Sequence, residues 1–322
     1  MDLRQLDIDI RPDRPVAETM TFARRVEVAG FGGLWVADSQ DLFRDCFVST
    51  TAVAMVTERL SLGTAVTNPV LRHPSVLAGA AASLDELFPG RLTLGLGSGE
   101  TAVQTAGKKP ATLAEMEAAL RACRSYLRHP WGGEVRPVPL VLAATGPRAL
   151  GLAGWLADGA YMKIGCDQRL LAWAGDQIAG TSGDRELTTP CTTTLLLPVS
   201  LGGSLEEAYR EVSGLAAATA AAVRKAVPAG VIPRELQVDL DAVAERVLQV
   251  RRSEPYASWL DGPARMGELP HRILDLFCIA SDDPGEVADR LRALPVDRVV
   301  VPLFTARRDD QLTRLAEVLV HG

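Results

Sequence analysis

The chain alternates short apolar runs with amphipathic stretches, and this alternation repeats eight times along its length. Nearly continuous apolar runs are typical of strands in a parallel sheet whose faces are covered by helices. Eight strand–helix units are also the number that closes such a sheet into a barrel. The sequence therefore predicts an α/β fold, a single (β/α)8 or TIM barrel. The predicted strands are Leu6–Ile10, Gly33–Asp38, Leu60–Thr67, Arg91–Gly97, Pro139–Ala144, Ala160–Ile164, Thr192–Val199 and Arg298–Leu303.

The stretches between the predicted strands have the apolar spacing of amphipathic helices. The predicted helices are Val16–Ala29, Cys46–Thr57, Pro74–Leu87, Leu113–Leu127, Pro147–Ala157, Leu170–Ile178 and Asp309–Val320. A long, mostly helical stretch at about residues 204–294 separates strands seven and eight. We interpret it as an insertion on the barrel, so that all 322 residues, 1–322, form one domain.

Composition excludes several classes of function. A net charge of −6 gives no basic surface for nucleic acid. The five cysteines are far apart and the four histidines lack metal-ligand spacing, so neither a disulfide framework nor a metal site is predicted. The start of the chain lacks the apolar region of a signal peptide, and no run of about 18 uncharged apolar residues occurs. We therefore expect a cytoplasmic protein that binds no membrane.

The fourth predicted strand ends in a glycine-rich turn, Gly95 to Glu100, which contains Gly97, Ser98 and Gly99. Glycines let a backbone approach a flat ring or a phosphate closely, and a carboxylate at a strand mouth is a ready general acid or base. The turn alone is also compatible with a tight connection that binds nothing. A third interpretation is the first motif of an S-adenosylmethionine methyltransferase, which eight strand–helix units argue against.

Other strand ends also carry unusual residues. Thr145-Gly146-Pro147-Arg148 begins a helix after strand five, and its free N–H groups are suited to an anion. Strand six ends in Lys163 to Asp167, with Gly165 in the turn, and glycine turns after successive barrel strands commonly hold a phosphate. Strand two ends at Asp38, and strand three runs into a sharp turn at Asn68-Pro69. Taken singly, Asp38 could be a helix cap or a surface acid, and the segment at Gly146 an ordinary helix start.

In combination these motifs carry a resemblance to a known family. The segments are 67–74, 80–87, 89–100, 143–148, 157–159 and 279–284. Together they resemble the signatures of the bacterial-luciferase-like superfamily of flavin and deazaflavin oxidoreductases. Within it, the Ser98-Gly99-Glu100 turn looks most like the branch that uses coenzyme F420, a 5-deazaflavin. That branch includes glucose-6-phosphate dehydrogenases and methylenetetrahydromethanopterin reductases.

The resemblance assigns roles to individual positions. It implies that Asp38, Asn68, Ser98 and Gly99, with Gly97 in the same turn, contact the ring and its ribityl chain. It implies that Ala65-Val66 is a cis peptide bond behind the ring. It places Thr145, Gly146, Arg148 and Gly165 around the cofactor phosphate. Glu100 matches the acid/base glutamate of the family, and Asp38 is the next candidate for moving a proton.

The chain also departs from the family pattern. Ser39 to Arg44 replaces a histidine and a tryptophan of the sugar-phosphate dehydrogenases, and Cys166 replaces their phosphate-binding lysine. These departures argue against glucose 6-phosphate as the substrate. The segment at 128–135, before strand five, is also shorter than in the family.

We therefore predict an F420-dependent oxidoreductase that transfers a hydride between C5 of the deazaflavin and a small organic substrate. Glu100 would donate or accept the proton, and reduction of an enone or imine is the favoured direction. The alternatives are an FMN-dependent monooxygenase of the same superfamily and a non-catalytic flavin-binding relative. Family resemblance also implies a homodimer.

Overall fold

Eight parallel strands close into a barrel in the computed structural model, which describes residues 2–128, 137–181, 187–253 and 269–320. The ten strands are β1 Leu6–Ile10, β2 Gly33–Val36, β3 Ser61–Thr64, β4 Leu92–Leu96, β5 Leu140–Ala144, β6 Gly159–Met162, β7 Thr192–Leu196, β8 Val199–Leu201, β9 Ile279–Ser281 and β10 Arg298–Pro302. The barrel order is β1-β10-β7-β6-β5-β4-β3-β2. The first and last strands of the chain are thus neighbours, with Asp9 opposite Pro302. The predicted TIM-barrel fold is confirmed.

Helices follow the strands and cover the barrel. They are α1 Val16–Val28, α2 Cys46–Ala54, α3 Pro74–Leu87, α4 Glu100–Thr105, α5 Leu113–Arg128, α6 Pro147–Leu156, α7 Gln168–Ala179, α8 Leu205–Ala226, α9 Arg234–Ser253, α10 His271–Leu274, α11 Pro284–Arg292 and α12 Arg308–Val320. Pro74 and Pro147 lie in the first turns of α3 and α6, as predicted, because proline has no N–H to lose at that position.

The core has two parts, since alternate residues of each strand point to opposite sides of the barrel wall. Residues such as Leu6 and Ile8 pack against the surrounding helices in one large apolar cluster. The barrel interior holds a smaller cluster of Trp35, Val141, Tyr161 and Val300. Trp35 and Tyr161 lie with ring centroids 5.2 Å apart. The two aromatic rings therefore pack together inside the barrel.

The seventh predicted strand differs from the observed one. Thr192–Val199 was predicted as one strand, but β7 ends at Leu196 and a second strand, β8, begins at Val199. Pro198 lies between them, and proline has no N–H to donate to a strand ladder. β8 leaves the barrel and pairs with β9, a strand that the sequence did not predict.

Residues 205–292 contain α8, α9, α10, β9 and α11, and α8 packs against α9. The interpretation of this stretch as an insertion, and of the chain as one domain, stays a prediction. The short segment noted before strand five lies largely at 129–136, outside the described residues. Among the described helices, none is long and apolar enough to cross a membrane. No cluster of three potential metal ligands occurs within the described ranges.

Candidate active site

A cavity of about 1030 Å³ opens where the barrel strands end. Its wall consists of residues at or just after the C-terminal ends of all eight barrel strands, together with residues of α4, α8 and α9. Eight of the predicted site residues line it: Asp38, Ala65, Val66, Gly97, Ser98, Gly99, Glu100 and Thr145. The other four, Asn68, Gly146, Arg148 and Gly165, are not among the lining residues that the structure describes. Most of the predicted site residues therefore lie at the same rim of the barrel.

The segment after β3 forms one wall of the cavity through a cis peptide bond between Ala65 and Val66. The predicted cis bond is therefore confirmed. Val66 packs against the glycine turn, because a Cβ atom on Gly97 would lie 2.6 Å from its Cγ2. Only glycine at position 97 lets the turn lie this close to the bulge at Val66.

The glycine turn also packs against Asn68. Gly99 has a φ of 80°, in the left-handed region, and a Cβ atom there would lie 2.9 Å from Cβ of Asn68. Oδ1 of Asn68 accepts hydrogen bonds from the N–H groups of Val70 and Leu71. Its buried Nδ2 atom has no hydrogen-bond partner in the described part of the chain. Because a buried donor is costly when unsatisfied, this amide is suited to a ligand acceptor.

Asp38 follows β2, and both of its carboxylate oxygens accept hydrogen bonds. Oδ2 accepts a 2.6 Å hydrogen bond from the hydroxyl of Thr67, and Oδ1 accepts one from the side-chain amide of Gln40. The guanidinium of Arg72 contacts Oδ1 of Asp38 at 3.3 Å and Oδ2 of Asp45 at 2.9 Å. These two carboxylates raise the pKa of Arg72, although burial acts against them. The arrangement holds Asp38 in place as a charged, hydrogen-bonded wall of the cavity.

Glu100 is the first residue of α4, directly after the left-handed Gly99. Its side chain is 58% exposed, and Oε1 lies 4.0 Å from Nζ of Lys225 on α8. Both residues line the cavity. A carboxylate at a helix N-terminus is stabilised by the helix dipole. The structure therefore presents Glu100 as an accessible carboxylate beside a cation at the cavity mouth.

The residues predicted to surround the phosphate are only partly together. Thr145 lines the cavity, and its hydroxyl lies 3.4 Å from the carbonyl oxygen of Lys163. Gly146 caps the N-terminus of α6, and Arg148 is exposed in its first turn. Gly165 has a φ of 84° and is buried.

Gly165 lies against another part of the chain. A Cβ atom at this position would lie 2.2 Å from the carbonyl oxygen of Leu276, and the N–H of Cys166 donates to the same oxygen. The segment after α10 thus packs directly on the β6 turn. This contact gives Gly165 a structural reason to be glycine, apart from any ligand.

Several buried polar residues of the cavity were not predicted from the sequence, among them Asp9, Arg11 and Tyr161. Oδ1 of Asp9 and the hydroxyl of Tyr161 have no hydrogen-bond partners within the described ranges. Burial raises the pKa of both groups, and for Asp9 the Arg11 charge acts in the opposite direction. The alternation Leu-Asp-Ile-Asp-Ile was a usable signal, because a strand in a closed barrel has no solvent face for its polar residues.

The chain is similar in sequence to a known protein family and to several enzymes of known function. A family model described as luciferase-like monooxygenase matches residues 3–300. The 5,10-methylenetetrahydromethanopterin reductase of Methanolobus tindarius is 33% identical over 48% of this chain and 53% of its own length. The F420-dependent glucose-6-phosphate dehydrogenase of Nakamurella multipartita is 28% identical over 75% of this chain and 70% of its own length. For the M. tindarius reductase and a Beutenbergia cavernae F420-dependent glucose-6-phosphate dehydrogenase, the chain spans about half of the relative's length.

Solved structures show the same fold. The coenzyme F420-dependent tetrahydromethanopterin reductase of Methanopyrus kandleri superposes with a TM-score of 0.73 at 19% identity, covering 98% of this chain and 99% of that one. An F420-dependent secondary alcohol dehydrogenase, solved with an F420–acetone adduct, gives a TM-score of 0.69 at 16% identity, covering 98% and 97% of the two chains. The family-model match extends over most of the barrel, from before β1 into β10. The predicted resemblance is thereby confirmed, and the chain belongs to the luciferase-like monooxygenase family.

Proposed function

We propose that this protein is a coenzyme F420-dependent oxidoreductase that transfers a hydride between C5 of the deazaflavin and a small organic substrate. The observation that carries the proposal is one wall of the cavity. There Val66 packs against Gly97 of the glycine turn, and Glu100 ends the same turn at the cavity. The relatives of this chain include F420-dependent dehydrogenases, which supports the same cofactor.

The residues present fit a ring with a phosphate-bearing chain. The cavity volume of about 1030 Å³ is at the upper end of ordinary ligand sites. The unsatisfied Nδ2 of Asn68 is a donor for a polar ring or chain atom. The N-terminus of α6 at Gly146, with Arg148 in its first turn, has the polarity that favours a phosphate. Asp38, Asn68 and the glycine turn would hold the ring end, and Thr145 to Arg148 the phosphate end.

A bound deazaflavin supplies two-electron hydride chemistry at its C5 atom. The chain's own task is to position the substrate and to handle one proton. Glu100 is placed for this, since it lines the cavity at the end of the glycine turn, with Oε1 4.0 Å from Nζ of Lys225. We propose reduction of an enone or imine, because the sugar-phosphate residues of the dehydrogenases are absent from Ser39–Arg44 and from Cys166.

Two related functions are alternatives to this proposal. The same barrel and glycine turn could hold FMN in a monooxygenase, or could bind a flavin without turnover. Titrating the purified protein separately with F420 and with FMN, and following the quenching of their fluorescence, distinguishes the deazaflavin from the flavin as cofactor. We expect tighter binding of F420. Micromolar binding of FMN with no binding of F420 would overturn the deazaflavin assignment.

The proposed role of Glu100 is tested by Glu100→Gln, which is nearly isosteric but cannot exchange a proton. We expect the variant to fold and to bind cofactor within a few-fold of wild type. Its turnover should fall by roughly 10²–10⁴, the usual size of a general acid or base contribution.

Glu245→Gln is the matched control, because Glu245 is an exposed carboxylate of α9 that lines the same cavity. It should keep turnover within about threefold of wild type, which is well below the expected acid/base effect. If Glu100→Gln also stayed within this range, Glu100 would be structural and the proton would come from Asp38 or solvent.

By family resemblance we also propose a cytoplasmic homodimer. Light scattering coupled to size-exclusion chromatography should then give twice the 34.4 kDa mass of the chain. A mass of one chain at micromolar concentration would exclude a stable dimer.

A further inference from the structure

Helix α8 crosses the mouth of the barrel from one side to the other. Near its start, the carboxylate of Glu211 accepts a hydrogen bond from the hydroxyl of Thr305, in the loop after β10. In its last turn, Nζ of Lys225 lies 4.0 Å from Oε1 of Glu100, which follows β4. β10 and β4 lie on opposite sides of the barrel, because they are four places apart in the ring of eight strands. The stretch of helix between these contacts is about 21 Å long, and it roofs the cavity.

The face of α8 that lines the cavity is apolar. It consists of Leu215, Ala218, Thr219 and Ala222. The hydroxyl of Thr219 donates to the carbonyl oxygen of Leu215 at 3.0 Å, so it is satisfied within the helix. The residues at the ends of β7 and β10 that line the same cavity are also apolar: Leu196, Pro198, Pro302 and Phe304. We call the space that these two sets of residues line the apolar slot. None of the predicted cofactor residues belongs to it.

The charged residues that α8 and α9 contribute to the cavity lie at its rim. Arg224 forms an ion pair with Asp241, and their side chains are 49% and 52% exposed. The side chain of Lys225 is 83% exposed beside Glu100, and Glu245 is exposed as well. Charges that face water or one another need no charged ligand to compensate them.

Polar residues of β1 border the slot. Asp9 and Arg11 line the cavity and are almost completely buried. The guanidinium carbon of Arg11 lies 4.2 Å from the ring centroid of Phe304, and Arg11 has partners within the protein. This cation is therefore already held by the chain itself, and the surface left for a substrate in the slot is apolar.

We infer that the apolar slot is the substrate subsite, and that it selects an uncharged substrate with an apolar ring attached to its reactive group. The inference rests on the proposed function, which places the cofactor against the residues that follow β2 to β6. A cavity of about 1030 Å³ is large for one ligand and leaves room for a second molecule under α8. Removing an apolar ring from water supplies the affinity. Ala218 and Ala222 would then determine specificity, since larger side chains there would occupy the slot.

Three enones test the class of substrate: benzylideneacetone, its para-carboxylate, and ethylideneacetone, which has a methyl group in place of the phenyl ring. Calorimetric titration into protein saturated with oxidised F420, which has no hydride to give, measures binding alone. We expect benzylideneacetone to bind about tenfold or more tightly than ethylideneacetone, because it buries more apolar area. The para-carboxylate should bind about tenfold or more weakly than benzylideneacetone, because its charge loses water and gains no partner. Equal binding of the three enones, or tightest binding of the carboxylate, would overturn the inference.

Ala222→Leu and Ala218→Leu test whether α8 bounds the slot. Each should weaken benzylideneacetone by about tenfold or more and leave ethylideneacetone within about threefold of wild type, since only the larger enone competes with the added side chain for space. Ala242→Leu is the matched control, because Ala242 is an exposed residue of α9 outside the cavity lining. It should leave both enones within about twofold of wild type. Wild-type affinity for benzylideneacetone in both slot variants would contradict the assignment.

F420 binding to the same proteins, followed by fluorescence quenching, separates failure of the slot from failure of the proposed cofactor. Both slot variants should bind F420 within about threefold of wild type. Loss of F420 binding in both would assign the slot to the cofactor and overturn the inference. If wild type does not bind F420, the enones are titrated into the free protein. Preference for benzylideneacetone that Ala222→Leu removes would then retain the slot and reject the cofactor.

Discussion

Asp38 lies in the candidate site with three partners from two segments of the chain. Thr67, Gln40 and Arg72 all donate to its carboxylate, and its side chain is almost completely buried. The sequence predicted an acid at the end of strand two but not these partners, because Thr67 and Arg72 come from the loop after β3, which only the fold brings beside Asp38. The geometry favours a role in shaping the site over one in proton transfer.

Replacing Asp38 with Asn tests this structural role. The amide keeps the shape of the side chain but removes the charge that faces Arg72. We expect the free energy of unfolding in urea to fall by about 1–3 kcal/mol. Asp45→Asn is the control, because Asp45 is the more exposed partner of the same arginine and asparagine also caps a helix well. It should cost less than about 1 kcal/mol. Equal losses in the two variants would mean that the Asp38–Arg72 contact adds little to stability.

Burial raises the pKa of Asp9, so ionisation of its carboxyl should destabilise the folded protein. The unfolded chain releases this proton near the ordinary pKa of 3.8, whereas the folded protein retains it to higher pH. Wild type therefore loses stability as pH rises above about 4. Asp9→Asn does not titrate, so its stability relative to wild type should increase as the pH is raised from about 4 to neutral. Urea unfolding across this range measures the difference, and parallel curves for the two proteins would exclude a raised pKa.

At the scale of elements, the sequence predicted best where local chemistry alone sets a boundary. Proline at the first helical position marked the starts of α3 and α6. The break between β7 and β8 had a local signal in Pro198, which the prediction of one long strand overlooked. The strand β9 could not be predicted, because it pairs with β8 across about 80 residues of intervening chain. The short helix α4 was missed for a different reason. Its start at Glu100 follows a glycine-rich sequence that predicts a turn.

The glycine turn before α4 depends on a left-handed residue, so Gly99→Ala should disturb it. Alanine at a φ of 80° is strained, and its Cβ atom would lie 2.4 Å from Val103 and 2.9 Å from Asn68. We expect a loss of at least about 1–2 kcal/mol in the free energy of unfolding, and weaker F420 binding.

Gly79→Ala in α3 is the control, because a Cβ atom there meets no described atom within 4 Å. It should leave stability unchanged or raise it by about 0.5–1 kcal/mol, since alanine is the better helix former. A Gly99→Ala protein as stable as the control would show that the turn tolerates a side chain.

At the scale of the whole molecule, barrel closure was predictable because the chain has eight strand–helix units with nearly continuous apolar strands, the number that closes a parallel sheet into a barrel. The identity of the residues that line the cavity was not predictable from the sequence. Leu215, Ala218, Thr219 and Ala222 of α8 line it at helical spacing, but this pattern also fits a helix packed on any apolar surface. Only tertiary packing places that face of α8 over the barrel mouth. For the same reason Arg11 and Tyr161 could not be assigned to the site from sequence.

The large apolar cluster runs without a break from the barrel into the stretch between β7 and β10. It joins Leu6 and Val299 of the barrel to Ala216 and Val223 of α8 and Val247 of α9. Elements that share one core unfold together, so we expect a single cooperative transition for residues 1–322 in scanning calorimetry.

Because the cavity is lined by both parts of the chain, ligand binding should raise the temperature of this one transition. F420 at about 100 times its Kd adds about 2.7 kcal/mol, which corresponds to a rise in Tm of about 5 °C. FMN at the same concentration should raise the Tm less. Two separate transitions, of which F420 moves only one, would show that residues 204–294 behave as a second domain and that the cofactor site does not include α8.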